Sequence, residues 1–150
     1  MSRLARILAT VPLACTALAC TGLALSTAAP AMASTAIPIK GTSADLGAGF
    51  TGTLIWQDRT RFTASVKLED LLCDDKQAYF SFLVTPGVGQ HWEGKRRFND
   101  EGCHNTVEWS GIAGKDDSGI IATSLIVCTD LPTGTDACQT YKYDNPNIAG

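Results

Sequence analysis

No window of the sequence carries a sustained apolar stripe at a spacing of 3.6 residues, which argues against amphipathic helices as its main elements. An excess of basic residues is also missing, because 12 Lys and Arg stand against 15 Asp and Glu. A chain with a negative net charge is a poor candidate for binding nucleic acid or an anionic membrane through its overall charge. At 150 residues it is also too short for a two-domain cofactor enzyme, and we expect no cofactor.

Catalytic and metal-binding motifs are equally scarce. The chain contains no G-x-S-x-G nucleophile elbow, no C-x-x-C pair and no calcium-loop spacing. Its two histidines are His91 and His104, too few for a typical zinc site once the cysteines are oxidised. We therefore predict a non-enzymatic protein without a metal. A small hydrolase that uses His104 is the catalytic alternative.

The first 33 residues have the three parts of an export signal. Arg3 and Arg6 precede an apolar run over residues 7–25, and Ala31-Met32-Ala33 is a small-x-small cleavage site. We predict a signal peptide over residues 1–33 and a secreted, extracellular mature protein that is not membrane-bound. Removing 33 of the 150 residues leaves 117, with 10 basic against 15 acidic residues and a net charge of about −5.

Two alternatives to a cleaved signal are visible. The apolar run is long enough to suggest a membrane anchor. Pro30 and the Ala-rich residues that follow the run favour cleavage instead. Leu18-Ala19-Cys20 resembles part of a bacterial lipobox, which would make Cys20 a lipidated residue. Ala17 stands where leucine is usual in that motif, so we favour cleavage after Ala33.

Four cysteines remain after cleavage: Cys73, Cys103, Cys128 and Cys138. An even number in a small exported chain indicates two disulfides, for which three connectivities are possible. Residues 129–137 are rich in turn formers, which favours a hairpin closed by Cys128 and Cys138 and leaves Cys73 with Cys103. Such bonds stabilise a chain by roughly 3 and 4 kcal/mol in the loop-entropy model.

From Thr51 onward, apolar residues recur with a period of two. The clearest case is residues 62–69, where every second residue is Phe, Ala, Val or Leu. About seven such short segments are separated by turns, which predicts an all-β, antiparallel, Ig-like β-sandwich over residues 51–150. The alternation also places Trp56 and Trp109 in the core. The predicted strands are residues 51–57, 62–69, 77–85, 90–98, 104–113, 120–128 and 138–143.

Residues 34–50 are small, Gly-rich and without a period, and we predict an extended N-terminal segment there. Its apolar stretch is Ile37-Pro38-Ile39. A segment of this kind can lie in a partner's groove or pair with a sheet edge. These three residues are therefore candidate partner-binding residues.

A second candidate surface combines charge and aromatic side chains. Lys95, Arg96 and Arg97 lie on the weakest predicted strand, where they either discourage association of sheet edges or bind a phosphate or an acidic partner. We favour edge protection. Trp92 lies beside this run, and Tyr141 and Tyr143 share a face of the last strand. These three aromatic residues are predicted to bind a partner, carbohydrate or small molecule.

Residues 52–57 (GTLIWQ), residues 62–65 (FTAS), the cysteine spacing and residues 141–146 (YKYDNP) resemble a group of small secreted actinobacterial proteins. The chain also resembles the small adaptor subunit of the umbrella-shaped toxin particles that these bacteria secrete. That resemblance implies a compact β-domain whose extended N-terminal segment links a repeat-bearing stalk protein to lectin-like subunits. Residues 34–50 would be the engaging segment.

Two other exported actinobacterial families share the size and the two disulfides. Subtilisin inhibitors open their reactive loop with a Cys-Pro pair, which this sequence lacks. In enediyne-binding apoproteins the first disulfide closes a short loop, whereas Cys73 and Cys103 are 30 residues apart. Our leading interpretation is therefore a secreted adaptor that binds other proteins. The alternatives are a carbohydrate- or small-molecule-binding domain and a protease inhibitor.

Overall fold

A computed structural model describes residues 34–132 and 134–148. The predicted signal peptide over residues 1–33, with Cys20, lies outside the described residues. Within that part of the chain, no helix is long and apolar enough to cross a membrane.

The described chain is all-β, and two antiparallel sheets form a sandwich. Its nine strands are β1 (Thr35–Thr42), β2 (Ala48–Trp56), β3 (Arg61–Asp70), β4 (Ala78–Pro86), β5 (Trp92–Glu93), β6 (Arg97–Phe98), β7 (Thr106–Lys115), β8 (Ile120–Thr129) and β9 (Ala137–Asp144). The first sheet has the order β1-β2-β3-β7, and the second has the order β5-β4-β8-β9, with β6 also paired to β4. The predicted architecture is confirmed, but the count of seven strands is wrong.

Two differences account for the two additional strands. The strand predicted over residues 90–98 is two short strands, β5 and β6, which pair with different parts of β4. The segment predicted over residues 34–50 contains β1, which pairs with β2 from Thr35 opposite Trp56 to Thr42 opposite Gly49. The sandwich therefore begins at Thr35 rather than at Thr51.

The core lies between the inward faces of the two sheets. Alternate residues of β3, from Phe62 to Leu68, are almost completely buried, as the period of two predicts. Phe62 packs edge-on against Trp56 at a centroid distance of 5.6 Å and lies 5.6 Å from Phe82 of the opposite sheet. Aromatic pairs across the two sheets thus fill the middle of the sandwich.

Both disulfides form with the favoured connectivity. Cys73 is bonded to Cys103, which joins the loop after β3 to the turn before β7. Cys128 is bonded to Cys138, and the two residues lie directly opposite each other on β8 and β9. Two disulfides in a chain of this size are consistent with an oxidising, extracellular environment.

A tyrosine holds β1 to the second sheet. The hydroxyl of Tyr141 on β9 accepts a hydrogen bond from the Thr42 amide and donates one to the Thr42 carbonyl, both at 2.9 Å. Gly41 lies against the tyrosine ring, where any side chain would overlap ring atoms. The N-terminal strand is therefore anchored to both layers of the sandwich.

Candidate functional site

An open groove of about 530 Å³ runs along the side of the sandwich where β6 and β7 lie. The basic run predicted at the sheet edge forms one wall, and Val107 and Trp109 of β7 line the groove from the other sheet. We call it the basic–aromatic groove. Its lining residues are Lys95, Arg96, Arg97, Phe98, Asp100, Glu101, Val107 and Trp109.

The aromatic part of the groove is tied to the core. Trp109 is half-buried and packs edge-on against Phe80, with 5.3 Å between ring centroids. The Arg97 guanidinium lies 5.8 Å from the centroid of the same Phe80 ring. Burial lowers the pKa of Arg97, because removing a cation from water disfavours its charged form. An anion in the groove would compensate this loss of hydration.

The positive charges of the groove differ in their partners. Arg96 lies 3.8 Å from Glu93 and 3.9 Å from Asp136, both carboxylates of its own chain. Within residues 34–132 and 134–148, neither Lys95 nor Arg97 has a carboxylate within 4.0 Å. Two cations beside an exposed aromatic edge can hold a carboxylate and an apolar side chain together.

A polar network covers the outer face of the second sheet next to the groove. Tyr79 donates a hydrogen bond of 2.6 Å to Asp136, and Ser81 donates one of 2.6 Å to Glu93. The guanidinium of Arg96 lies 5.0 Å above the Tyr79 ring and between the two carboxylates. This network holds Arg96 in place, so the basic wall has a supporting layer of hydrogen bonds.

Tyr79 makes the free energy of unfolding depend on pH in the alkaline range. Burial, and next the hydrogen bond to Asp136, raise the pKa of Tyr79 from 10.0 to about 12. A raised pKa stabilises the folded state below pH 10, and this contribution is lost as the pH rises towards 12. We expect Tyr79→Phe to have a shallower loss of unfolding free energy across this range, measured by urea denaturation. Equal slopes for variant and wild type would contradict the assignment.

The residues predicted to bind a partner do not form one surface. Ile37, Pro38 and Ile39 belong to β1, where Ile39 is buried in the core. Trp92 packs against the core from β5, and its indole nitrogen lies 3.4 Å from Asp116.

Tyr141 and Tyr143, the last two predicted residues, also pack against the core from β9. The strand order places β5 and β9 at opposite edges of the second sheet. These aromatic residues therefore do not make a common platform with Trp92.

Trp109 is the groove residue that the sequence prediction assigned to the core. The alternation of β7 correctly indicates an inward-facing side chain, but β7 is the last strand of its sheet. An inward-facing residue at an edge is covered on one side only. The basic run, whose last residue Arg97 begins β6, is visible in the sequence. That Trp109 lies across the groove from it is not.

Among the described residues, one hydroxyl group contacts an imidazole. Thr85 Oγ1 lies 3.0 Å from His91 Nδ1 on an exposed surface. In the described part of the chain no carboxylate is hydrogen-bonded to His91, so the third member of a triad is missing there. His104 is exposed in a turn beside Cys103, whose sulfur is bonded to Cys73 and unavailable to a metal.

Comparisons with protein-family models, with curated proteins and with solved structures found no match for this chain.

Proposed function

We propose that this chain is a secreted, non-enzymatic binding module that holds an acidic segment of another extracellular protein in the basic–aromatic groove. The observation that carries the proposal is the position of Lys95 and Arg97, which lie in one groove with Trp109 and form no ion pair within 4.0 Å among the described residues. Asp100 and Glu101 line the same groove, so a bound acidic segment must place its carboxylates on the side of Lys95 and Arg97. The chain as a whole is acidic, and this groove brings three basic side chains together beside an aromatic one.

The groove suits a peptide better than a free ion. Its volume of about 530 Å³ leaves room for several side chains, and its aromatic wall offers an apolar contact next to the charges. A carboxylate bound by Arg97 would form charge-assisted hydrogen bonds, while an adjacent apolar residue would cover Trp109. An acidic segment with interspersed apolar residues satisfies both requirements.

An adaptor role follows from this proposal together with the resemblance to toxin adaptors. The repeat-bearing stalk protein and the lectin-like subunits are then the proposed partners. The engaging surface, however, moves from residues 34–50 to the groove, because β1 is part of the first sheet and Ile39 is inside the core.

Charge reversal in the groove tests the proposal. We expect the double variant Lys95→Glu, Arg97→Glu to bind a fluorescein-labelled peptide of alternating glutamate and phenylalanine about 10- to 100-fold more weakly than wild type, because each lost charged hydrogen bond is worth about 1.5–3 kcal/mol. Fluorescence anisotropy measures the affinity. Raising the salt concentration should weaken binding to the wild type.

The matched control is Lys142→Glu, which reverses an exposed lysine on β9. It changes the net charge in the same direction and should leave peptide affinity unchanged within a factor of about two, since Lys142 does not line the groove. Equal losses of peptide affinity in the two variants would show that only the net charge of the protein matters, and would contradict a site in the groove. The same variants, used as bait in culture supernatant, would report on natural partners.

A further inference from the structure

Three of the four sheet edges are blocked against pairing with another strand. On β1, Pro38 has no amide to donate, and Tyr141 occupies the amide and carbonyl of Thr42. On β7, the register with β3 shifts between Ala64 and Val66, and Gly111 adopts a positive φ of 66° at this bulge. The outer side of β4 carries only the two-residue strands β5 and β6. Such features are common ways of preventing edge association.

The fourth edge, β9, has none of these features. It pairs with β8 without a register shift from Ala137 to Asp144, and it contains neither proline nor glycine. Among the residues that the structure describes, no backbone hydrogen bond outside the β8–β9 ladder involves this strand. Its solvent side is therefore a regular row of amide and carbonyl groups.

The disulfide shows which of these groups point outward. Cys128 and Cys138 are directly opposite each other, and their Cα atoms are 4.1 Å apart. A separation this short is typical of a non-hydrogen-bonded antiparallel pair. The amide and carbonyl groups of Cys138 therefore point away from β8, and so do those of every second residue after it. The outward-pointing residues are Cys138, Thr140, Lys142 and Asp144.

We propose that β9 pairs antiparallel with β9 of a second copy of this chain, around a two-fold axis that passes beside Tyr141. In this register Thr140 is opposite Lys142 of the second copy, and Cys138 is opposite its Asp144. All four outward-pointing residues then meet outward-pointing residues, so the edge is self-complementary as a two-fold interface requires.

Neighbouring registers are less favourable. A shift by two residues in one direction places Lys142 opposite Lys142 of the second copy, which brings like charges together. A shift in the other direction leaves Asp144 beyond the end of the opposing strand, since β9 begins at Ala137. Lys142 is itself neutralised by Asp144 at 2.7 Å, so the edge carries no net charge that would oppose pairing.

The dimer and the acidic-peptide groove use separate residues, because no residue of β9 lines the groove. A dimer through β9 would leave both grooves open. Failure of peptide binding would therefore say nothing against the dimer, and a monomeric protein would say nothing against the groove.

Position 140 provides the test, because its side chain is exposed and its amide points outward. Sedimentation velocity of the mature chain over a range of concentrations should show a monomer–dimer equilibrium. Thr140→Lys should raise the dimer dissociation constant about five-fold, since it sets two new lysine pairs across the axis, and Thr140→Glu should lower it by a similar factor. A merely structural effect would not move the two variants in opposite directions.

Two further variants address the backbone itself. Thr140→Pro removes an outward amide while sparing the β8–β9 ladder, and it should raise the dissociation constant at least about ten-fold. Thr140→Val keeps the amide and a β-branched side chain, and should associate like wild type. A wild-type protein that stays monomeric at every concentration would overturn the proposal. So would Lys and Glu variants that change the dissociation constant in the same direction.

Discussion

Replacing Cys73 and Cys103 together by serine should lower the free energy of unfolding by about 4 kcal/mol. The two cysteines are 30 residues apart, and in the loop-entropy model a crosslink over such a span restricts the unfolded chain strongly. The span includes β4, the strand that pairs with β5, β6 and β8. A loss of this size is a large share of the total stability of a small domain. Urea denaturation under non-reducing conditions measures it.

The second disulfide supplies the matched comparison. Cys128 and Cys138 are only 10 residues apart and lie on strands that are already paired. Replacing both by serine should cost about 3 kcal/mol, less than the first pair. If removal of the short-span bond were the more damaging change, loop-closure entropy would not be the dominant effect. A drop in the slope of the denaturation curve would indicate a change in the unfolded state instead.

The second large effect is expected for Gly52→Ala. Gly52 is in β2 opposite Val66, and a Cβ atom there would overlap the carbonyl oxygen of Ser65 on the neighbouring strand. Backbone in the middle of a sheet cannot move away without breaking its ladder. We expect a loss of about 3 kcal/mol or more in unfolding free energy, as for other overpacked interior sites.

Gly49→Ala is the control, since it lies in the same strand. Its added Cβ would come 3.1 Å from Cδ1 of Leu71, the end of a flexible side chain, and should cost less than about 1 kcal/mol. Thermal unfolding by circular dichroism distinguishes the two cases. Similar melting temperatures for both variants would show that the close approach of β2 and β3 relaxes easily.

The interior of the sandwich was predictable because its signals are local. Alternation over residues 62–69 places every second side chain on one face of a strand whatever its neighbours are, and those side chains are buried. The turn-rich residues 129–137 bring Cys128 and Cys138 together by a short hairpin. Both inferences depend only on residues that are close in the sequence.

The N-terminal strand could not be predicted in this way. Pro38, Lys40 and Gly41 have low strand propensity, and the strong apolar signals in β1 are Ile37 and Ile39. β1 forms because it pairs with β2 over its whole length and because Tyr141 is hydrogen-bonded to Thr42 at its end. Tertiary contacts override a weak local preference here.

The groove depends on the same kind of long-range information. Lys95, Arg96 and Arg97 were visible as a basic run, and Trp109 as a core residue. The sequence does not show that β6 and β7 end up at the same side of the sandwich. Without that placement, edge protection was the simpler interpretation of the basic residues.

The amino-acid sequence by itself determined the class of fold and the inward face of the clearest strand, because both follow from spacing along the chain. It left three pairings of the four cysteines possible, and the structure selects Cys73 with Cys103 and Cys128 with Cys138. The tertiary structure alone decided which strands lie at the edges, and with them the groove and the open side of β9. Strand order is set by pairing between distant segments, as with β3 and β7 or β4 and β8, and no local period encodes it.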